Sequence, residues 1–205
     1  MKKTLLTICL VWMCFSLSAQ KIIDLSGKWS FSIDRQDNGE KEKWFSHTLN
    51  DFINLPSSMP EKLKGDEVTA KTQWTGSLYD SSYYYNPYME KYRKEGNIKF
   101  PFFLTPDKHY VGAAWYQKEV NIPADWKGER ILLFLERPHI ETTVWVNGQK
   151  TGMQNSLCVP HQYDITRYVR PGKCTITIRV DNRIKEINVG PDSHSITDQT
   201  QGNWN

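Results

Sequence analysis

The densest run of polar side chains that could bind a ligand lies at the carboxyl end of the chain, in residues 194–205. Asp198 and Asn203 fall in this run, and the large ring of Trp204 stands among them. A carboxylate such as that of Asp198 accepts strong, charge-assisted hydrogen bonds from hydroxyl groups. The run therefore predicts either the rim of a pocket at a domain junction or a linker, since linkers between domains are also polar.

A second candidate for ligand contact is Asn97. Its side-chain amide provides two donors and an acceptor, a set that suits a pair of hydroxyl groups. Asn97 directly follows Gly96, and both residue types are also common in turns. Asn97 is therefore interpreted either as a turn residue or as a ligand contact.

The cysteines and histidines do not form a metal-binding pattern. Cys9 and Cys14 lie in the first twenty residues, so a processed chain keeps Cys158 and Cys174. A disulfide between these two would close a loop of about 15 residues and stabilise the protein by about 3 kcal/mol in the chain-entropy description. The pair is either bridged or free. The five histidines are scattered, so no metal site is expected.

Short strands must position these groups. Apolar and polar residues alternate over 29–33 and again over 175–180, which is the period of two typical of strands with one buried face. The apolar run ILLFL at 131–135 predicts a central strand. Several such strands with little helix between them favour an all-β fold, an antiparallel β-sandwich.

Turn signals divide the strands. Asn147-Gly148 is a strong hairpin signal, so the strand over 143–146 should return at Gln149. Residues 161–164 predict a further turn, in which the carboxylate of Asp164 caps backbone N–H groups.

Aromatic residues make up 13% of the chain. Trp115 and Tyr116 are neighbours on a predicted strand, so their rings should face opposite sides of a sheet. The stretch from about residue 62 to 106 is rich in tyrosine and predicts a long insertion, with a helical turn within 86–95. Its tyrosines either pack over the sandwich or line a site.

The amino terminus has the features of a secretory signal peptide. Two lysines precede an apolar stretch over Leu5–Phe15, and small residues follow before Gln20. This stretch is shorter than the roughly 20 residues that cross a bilayer, so a periplasmic or secreted protein is expected. The rest of the chain is nearly neutral, which does not favour nucleic acid or an anionic membrane as a partner.

Seven short strings carry a family resemblance: LSGKWSFSID at 25–34, NLPSSM at 54–59, GAAWYQKEVNIP at 112–123, ERPHIETTVWVNG at 136–148, PHQYDIT at 160–166, IRVDN at 178–182 and HSITDQTQGNWN at 194–205. Taken together and in this order, they resemble the N-terminal sugar-binding domain of family 2 glycoside hydrolases. That family includes β-galactosidases, β-glucuronidases and β-mannosidases.

The resemblance implies a domain plan. After the signal peptide over 1–20, it places a jelly-roll β-sandwich over 21–190 and, over 191–205, the start of a linker toward an immunoglobulin-like domain and a catalytic barrel. Family members are retaining hydrolases that use two carboxylates about 5 to 5.5 Å apart on the barrel, and such a barrel alone takes about 250 residues. The family's acid/base Glu follows an Asn, and this chain has no Asn-Glu dipeptide. We therefore expect no catalytic residue here, and no cofactor or metal.

The resemblance also assigns the candidate contacts. Asn97 begins a segment, Asn-Ile-Lys-Phe-Pro, similar to one that sends an Asn toward the sugar in β-galactosidases of the family. Residues 194–205 resemble a polar segment that leads toward the active site, with an acidic residue near Asp198. The expected substrate-binding residues are therefore Asn97, Asp198, Asn203 and Trp204.

The expected function is that of the N-terminal domain of an exported, β-galactosidase-like glycosidase in carbohydrate catabolism, from a bacterium with two membranes. Its partners would be a carbohydrate substrate and the following domains of the same enzyme. Two alternatives are a free-standing, non-catalytic carbohydrate-binding module and a structural interaction domain, because a jelly roll supports all three roles.

Overall fold

The computed structural model describes residues 20–72, 81–99, 106–156 and 159–183. Over these residues the chain forms ten strands, one short α-helix and five 3₁₀ turns. The strands are β1 (Gly27–Asp34), β2 (Asp51–Leu55), β3 (Asp66–Glu67), β4 (Lys108–His109), β5 (Ala113–Ile122), β6 (Leu132–Leu135), β7 (Glu141–Val146), β8 (Gln149–Asn155), β9 (His161–Asp164) and β10 (Gly172–Asp181). Helix α1 is Ser82–Tyr85, and the 3₁₀ turns are Trp44–Ser46, Pro60–Lys62, Pro87–Tyr92, Ala124–Trp126 and Thr166–Tyr168.

Six strands form one antiparallel sheet in the order β2-β1-β5-β10-β7-β8. Its centre is the pair of β5 and β10, which remain in register from Gly172 opposite Ile122 to Asp181 opposite Ala113. At the β1 side the predicted alternation is confirmed, because Trp29 and Phe31 are buried in the core.

A second, smaller layer consists of β6 and β9, which pair antiparallel with Leu133 opposite Tyr163. Both of these side chains join the main core, where they pack with residues from one face of the large sheet. The all-β sandwich predicted from the strand pattern is therefore confirmed. The strand predicted for 131–135 is confirmed as β6, but its central position is wrong, because β6 lies in this two-stranded layer and Leu132 and Phe134 are about half exposed.

The other face of the large sheet carries a separate core. Trp115 and Trp145 stack there with ring centroids 4.9 Å apart, and Phe45 stacks on Trp145 at 5.2 Å. Leu49 and the half-buried Trp44 complete this cluster. Because the segment after β1 folds over this face, Trp115 and Tyr116 lie in different cores, as predicted.

This second core corrects the expectation for β10. The strand is not half buried, since Thr177 and Arg179 on its second face are also shielded from solvent. The alternation along β10 shows which side chains share a face of the sheet. It does not show that the second face is covered, because the covering residues, such as Leu49, come from the segment after β1.

The predicted hairpin is confirmed. Asn147 and Gly148 have φ values of 50° and 76°, both positive as a type I′ turn requires, and Val146 pairs with Gln149. The turn predicted for 161–164 is wrong, because these residues form β9. Asp164 nevertheless caps as expected, accepting a hydrogen bond from the backbone N–H of Thr166 at 3.1 Å.

The tyrosine-rich insertion contains the predicted helical turn, Pro87–Tyr92, capped by the side chain of Asn86. Tyr83 is buried in a small cluster with Val68, Tyr92 and Ile98. Tyr85 and Tyr88, in contrast, are largely exposed. Some of the insertion's tyrosines therefore pack within it, while others present open rings. Across the described ranges, no helix is long and apolar enough to span a membrane.

Candidate functional site

A cluster of charges fixes the backbone where β10 ends. Asp181 is fully buried and accepts hydrogen bonds from Nε of Arg183 at 2.9 Å and from Nη2 of Arg179 at 3.0 Å. Both guanidinium groups also reach Asp37, each at 2.6 Å. We call Asp37, Arg179, Asp181 and Arg183 the exit cluster, because the chain leaves the sandwich through it.

The exit cluster holds its charges firmly. Burial is the largest single effect and disfavours the charged forms of Asp37 and Arg179, but the hydrogen bonds and opposite charges of their partners together outweigh it, so the pKa of Asp37 is lowered and that of Arg179 is raised. The hydrogen bond to Asp181 likewise raises the pKa of Arg183. Asp37, Arg179 and Arg183 therefore stay ionised at neutral pH. Asp181 and Arg179 are buried, whereas Asp37 and Arg183 are partly exposed. Removing one partner of the buried pair Arg179–Asp181 would leave an uncompensated buried charge, which is strongly destabilising.

Asn182 ties the same end of the sheet to the start of β5. Its side chain accepts a hydrogen bond from the N–H of Gly112 at 2.7 Å and donates one to the carbonyl of Tyr110 at 2.9 Å. Gly112 has a φ of 151°, and a Cβ there would overlap the Tyr110 hydroxyl. The string IRVDN, together with Arg183, thus supplies most of the groups that organise this end.

Asp34 fixes the segment that follows β1 and contains Asp37 of the exit cluster. Its carboxylate is buried and accepts hydrogen bonds from the N–H of Asn38 at 2.9 Å, the N–H of Gly39 at 2.8 Å and the indole of Trp115 at 2.9 Å. Gly39 lies so close that a Cβ would come within 2.7 Å of this carboxylate. Asp34 therefore fixes the loop over residues 35–43 against the second core.

Asn97 adopts the geometry of a turn residue. It is exposed, its backbone N–H donates to the carbonyl of Lys94 at 3.0 Å, and its side-chain amide donates to the carbonyl of Lys91 at 2.9 Å. These bonds close the chain after the 3₁₀ turn Pro87–Tyr92. They leave the amide oxygen as an acceptor, and contact between Asn97 and a sugar stays a prediction.

The other predicted contacts, Asp198, Asn203 and Trp204, lie outside the described residues. Cys158 does as well, so a disulfide to Cys174 also stays a prediction. Cys174 itself is buried in the main core, and this burial raises the pKa of its thiol to about 11.

A buried polar triad lies between the two layers of the sandwich. Nδ1 of His161 is 2.6 Å from the hydroxyl of Thr142, which is 2.7 Å from the hydroxyl of Tyr163. Nε2 of His161 lies 3.2 Å from the carbonyl of Ser156, so Nε2 carries the proton and Nδ1 accepts from Thr142. All three side chains are buried, and the triad satisfies polar groups inside the core.

Metal ligands are not grouped within the described ranges. No three His, Cys, Asp or Glu side chains come together there in a way that could hold a metal ion.

Comparison with known protein families decides the family. The model for the sugar binding domain of glycosyl hydrolases family 2 matches residues 22–205. The chain belongs to this family. The resemblance carried by the seven strings is therefore confirmed, and the sandwich is a family 2 sugar binding domain.

Similar proteins include both glucuronidases and a galactosidase. A β-glucuronidase of Paenibacillus borealis is 28% identical over 167 residues, covering 80% of this chain and 21% of the relative. Human β-glucuronidase is 24% identical over 181 residues, covering 82% of this chain and 22% of the relative. A β-galactosidase of Thermoanaerobacter pseudethanolicus is 26% identical over 102 residues, covering 49% of this chain and 14% of the relative.

Solved structures agree on the fold. A β-glucuronidase of an uncultured Clostridium species aligns with a TM-score of 0.56 at 21% identity, covering 83% of this chain and 24% of that chain. The β-glucuronidase of Ruminococcus gnavus aligns with a TM-score of 0.54 at 20% identity, covering 82% and 23%. The family 2 domain thus spans about a fifth to a quarter of the length of the relatives it matches.

Sequence reasoning did not find the exit cluster of the family 2 domain. Arg179 and Asp181 lie in the string IRVDN, and Asp37 follows β1 by three residues, yet Asp37 and Arg179 are 142 positions apart. A signal was present in Arg179, a charged residue that follows a run of alternating threonine and isoleucine in this strand. Such a residue needs a partner when it is buried.

Proposed function

We propose that the chain is the N-terminal, non-catalytic part of an exported retaining β-glycosidase. The observation that carries the proposal is the match to the family 2 sugar binding domain over residues 22–205, combined with its coverage of about a fifth of the relatives. The leader over residues 1–20 supports export.

The chemistry would lie in other domains of the parent enzyme. Retaining hydrolysis needs a nucleophilic carboxylate and an acid/base carboxylate about 5 to 5.5 Å apart, facing a sugar. Here the buried carboxylates have other tasks: Asp34 anchors the loop over 35–43, and Asp181 binds two arginines. Both groups accept hydrogen bonds from donors within the domain.

We infer that β-glucuronides are the first candidate substrates of the parent enzyme and that β-galactosides are the second. The sequence pattern alone favoured a β-galactosidase-like parent, whereas the relatives that match over about four fifths of the chain are β-glucuronidases. The β-galactosidase relative matches about half of the chain. The names of these relatives therefore support β-glucuronides over β-galactosides as candidate substrates.

The domain's own contribution would be mechanical. The exit cluster and Asn182 hold the last described residues of the sandwich in one direction. Their hydrogen bonds of 3.0 Å or less involve Asp37, Arg179, Asp181, Asn182 and Arg183. A fixed exit orients whatever follows the sandwich, which in the relatives is the larger part of the enzyme. The family 2 domain would thus brace the catalytic part.

The test begins with the coding sequence beyond codon 205. If it continues, the complete enzyme should hydrolyse nitrophenyl β-glucuronide or nitrophenyl β-galactoside, and this chain alone should not. An Arg183→Gln variant of the complete enzyme, compared with the exposed control Arg167→Gln, would show whether the exit cluster matters for activity. A stop codon immediately after Asn205 would refute the proposal and favour a free-standing carbohydrate-binding module.

A further inference from the structure

A polar groove lies on the surface beside the end of β1. Its volume is about 220 Å³, and the side chains that line it include Ile33, Gln36, Asn38, Glu42 and Trp44. Ile33 and the ring of Trp44 are its apolar parts, and two amides, the carboxylates of Asp34 and Glu42 and the guanidinium of Arg35 form the rest. A single aromatic face with several hydrogen-bonding groups around it is an arrangement that suits a small polar ligand with an apolar face.

The walls of the groove are fixed before any ligand binds. Asp34 accepts hydrogen bonds from the N–H groups of Asn38 and Gly39, and the N–H of Trp44 donates to the carbonyl of Gly39 at 2.9 Å. At the start of the loop, Asp37 is held by two arginines of the exit cluster. A preformed site saves the ordering entropy that a flexible loop would lose on binding.

Trp44 is placed as a stacking surface. One side of its ring packs toward Trp115, with centroids 6.1 Å apart, while the residue remains only half buried. Its indole N–H donates to the carboxylate of Glu42 at 3.0 Å, which holds that carboxylate beside the ring. The C–H face of a pyranose can therefore pack on the ring while a hydroxyl reaches Glu42.

The hydrogen-bonding groups of the groove have capacity left for a ligand. Glu42 accepts one hydrogen bond from Trp44, and an ionised carboxylate offers about four acceptor sites. The amide of Asn38 donates to the amide oxygen of Gln36 at 3.3 Å, which leaves the oxygen of Asn38 as an acceptor and the NH₂ group of Gln36 as a donor. Neighbouring sugar hydroxyls are both donors and acceptors and match this mixture.

The charges around the groove select against anions. Asp34 and Glu42 contribute two carboxylates, whereas the one cation of the lining, Arg35, is paired with Asp66 through Nη2 at 2.6 Å. An anionic sugar would therefore meet two carboxylates of the lining, whose one cation is already paired.

We propose that this groove binds one ring of an uncharged sugar, with Trp44 as the stacking face and Gln36, Asn38 and Glu42 as partners for its hydroxyls. This inference goes beyond the proposed function, which assigns hydrolysis to other domains, and it applies to this chain by itself.

The experiment titrates the whole chain with methyl β-galactoside, methyl β-glucoside and sodium glucuronate. Binding is followed by calorimetry and by NMR signals of the indole N–H and side-chain amide groups. At least one neutral glycoside should bind with a dissociation constant in the millimolar range and shift the Trp44 indole signal. Glucuronate should bind at least about tenfold more weakly, because of charge repulsion.

Matched variants locate the site. Glu42→Ala should weaken binding of the neutral sugar by about tenfold, the usual loss for a charged hydrogen bond, and Gln36→Ala should weaken it several-fold. Glu40→Ala is the control, because Glu40 lies on the same loop but pairs with Lys150 at 2.7 Å outside the groove, and this variant should bind normally. Trp44→Leu should abolish binding, but Trp44 also packs in the second core, so the exposed Glu42 carries the test.

The proposal is overturned if neither neutral glycoside binds at about 100 mM, if glucuronate binds as well as they do, or if Glu40→Ala weakens binding as much as Glu42→Ala. None of these outcomes depends on hydrolysis by the complete enzyme. Failure of the sugar groove and failure of the proposed glycosidase are therefore separate results.

Discussion

Replacing Asp34 by Ala tests how the loop over residues 35–43 is held. The variant removes the acceptor of three hydrogen bonds, from the N–H of Asn38, the N–H of Gly39 and the indole of Trp115. The second and third donors are buried, so water does not readily replace the carboxylate. A buried donor left without a partner costs about 1–3 kcal/mol, and two of them give an expected loss of about 4 kcal/mol in the free energy of unfolding.

That loss is large compared with the stability of an ordinary domain, about 5–15 kcal/mol. With a urea dependence of about 2 kcal/mol/M, the unfolding midpoint should fall by about 2 M. Circular dichroism and tryptophan fluorescence would follow the transition. Trp115 should also lose its fixed environment, which near-ultraviolet circular dichroism would detect.

The matched control is Asp24→Ala. Asp24 accepts hydrogen bonds from the N–H and the hydroxyl of Ser26, both at 2.8 Å, but it is exposed, so water can satisfy the donors. This variant should lose less than about 1 kcal/mol. If the two variants lose the same amount of stability, burial of the Asp34 hydrogen bonds does not hold the loop, and the reasoning is wrong.

Three further predictions follow from the same structure and sequence. The isolated chain should not hydrolyse nitrophenyl β-glucuronide or nitrophenyl β-galactoside above an empty-vector control, and turnover that disappears when a Glu of this chain is replaced would contradict this. Burial lowers the pKa of His161 and outweighs its hydrogen bond to Ser156, so the unfolded chain takes up the proton more readily. Stability should therefore fall as the pH drops below about 6.5. Urea unfolding at pH 7 and pH 5 should show a smaller loss of stability at low pH for His161→Asn than for the unmodified chain. Some loss should remain, because burial also lowers the pKa of His109. An equal loss in the two proteins would refute the role of His161. The exported chain should begin near Ala19, Gln20 or Lys21 by intact mass, and an exported form that retains Met1 would contradict cleavage of the leader.

Local sequence patterns predicted those parts of the fold that depend on neighbouring residues. The alternation around Trp29 and Phe31 and the Asn147-Gly148 turn both depend on backbone geometry within a few positions. The failures came from long-range packing. The ILLFL run is fully apolar, yet β6 belongs to a two-stranded layer, and every second side chain faces outward. Residues 161–164 look like a turn, but pairing with β6 makes them a strand.

The same distinction applies to the site. The seven strings were enough to identify the family, because they sample the whole chain. The exit cluster could not be predicted, since its partners come from both ends of the chain and meet only after β1 and β10 are placed on either side of β5. Asn97 shows the opposite case, in which the local turn interpretation matches the hydrogen bonds that the residue makes.

The loop over residues 35–43 connects the two roles assigned to this domain. Its first turn carries Asp37, which belongs to the exit cluster, and its end carries Glu42, which lines the groove. Asp34, at the end of β1, binds both Gly39 of the loop and the indole of Trp115 and so anchors the loop on Trp115. A domain that only braced its neighbours would need the first of these features but not an open groove with unspent amide and carboxylate groups. A free-standing sugar binder would need the groove but not a buried charge network at its last strand. Because both features occur on one loop, we propose both roles for this domain, bracing of the neighbouring domains and contact with carbohydrate.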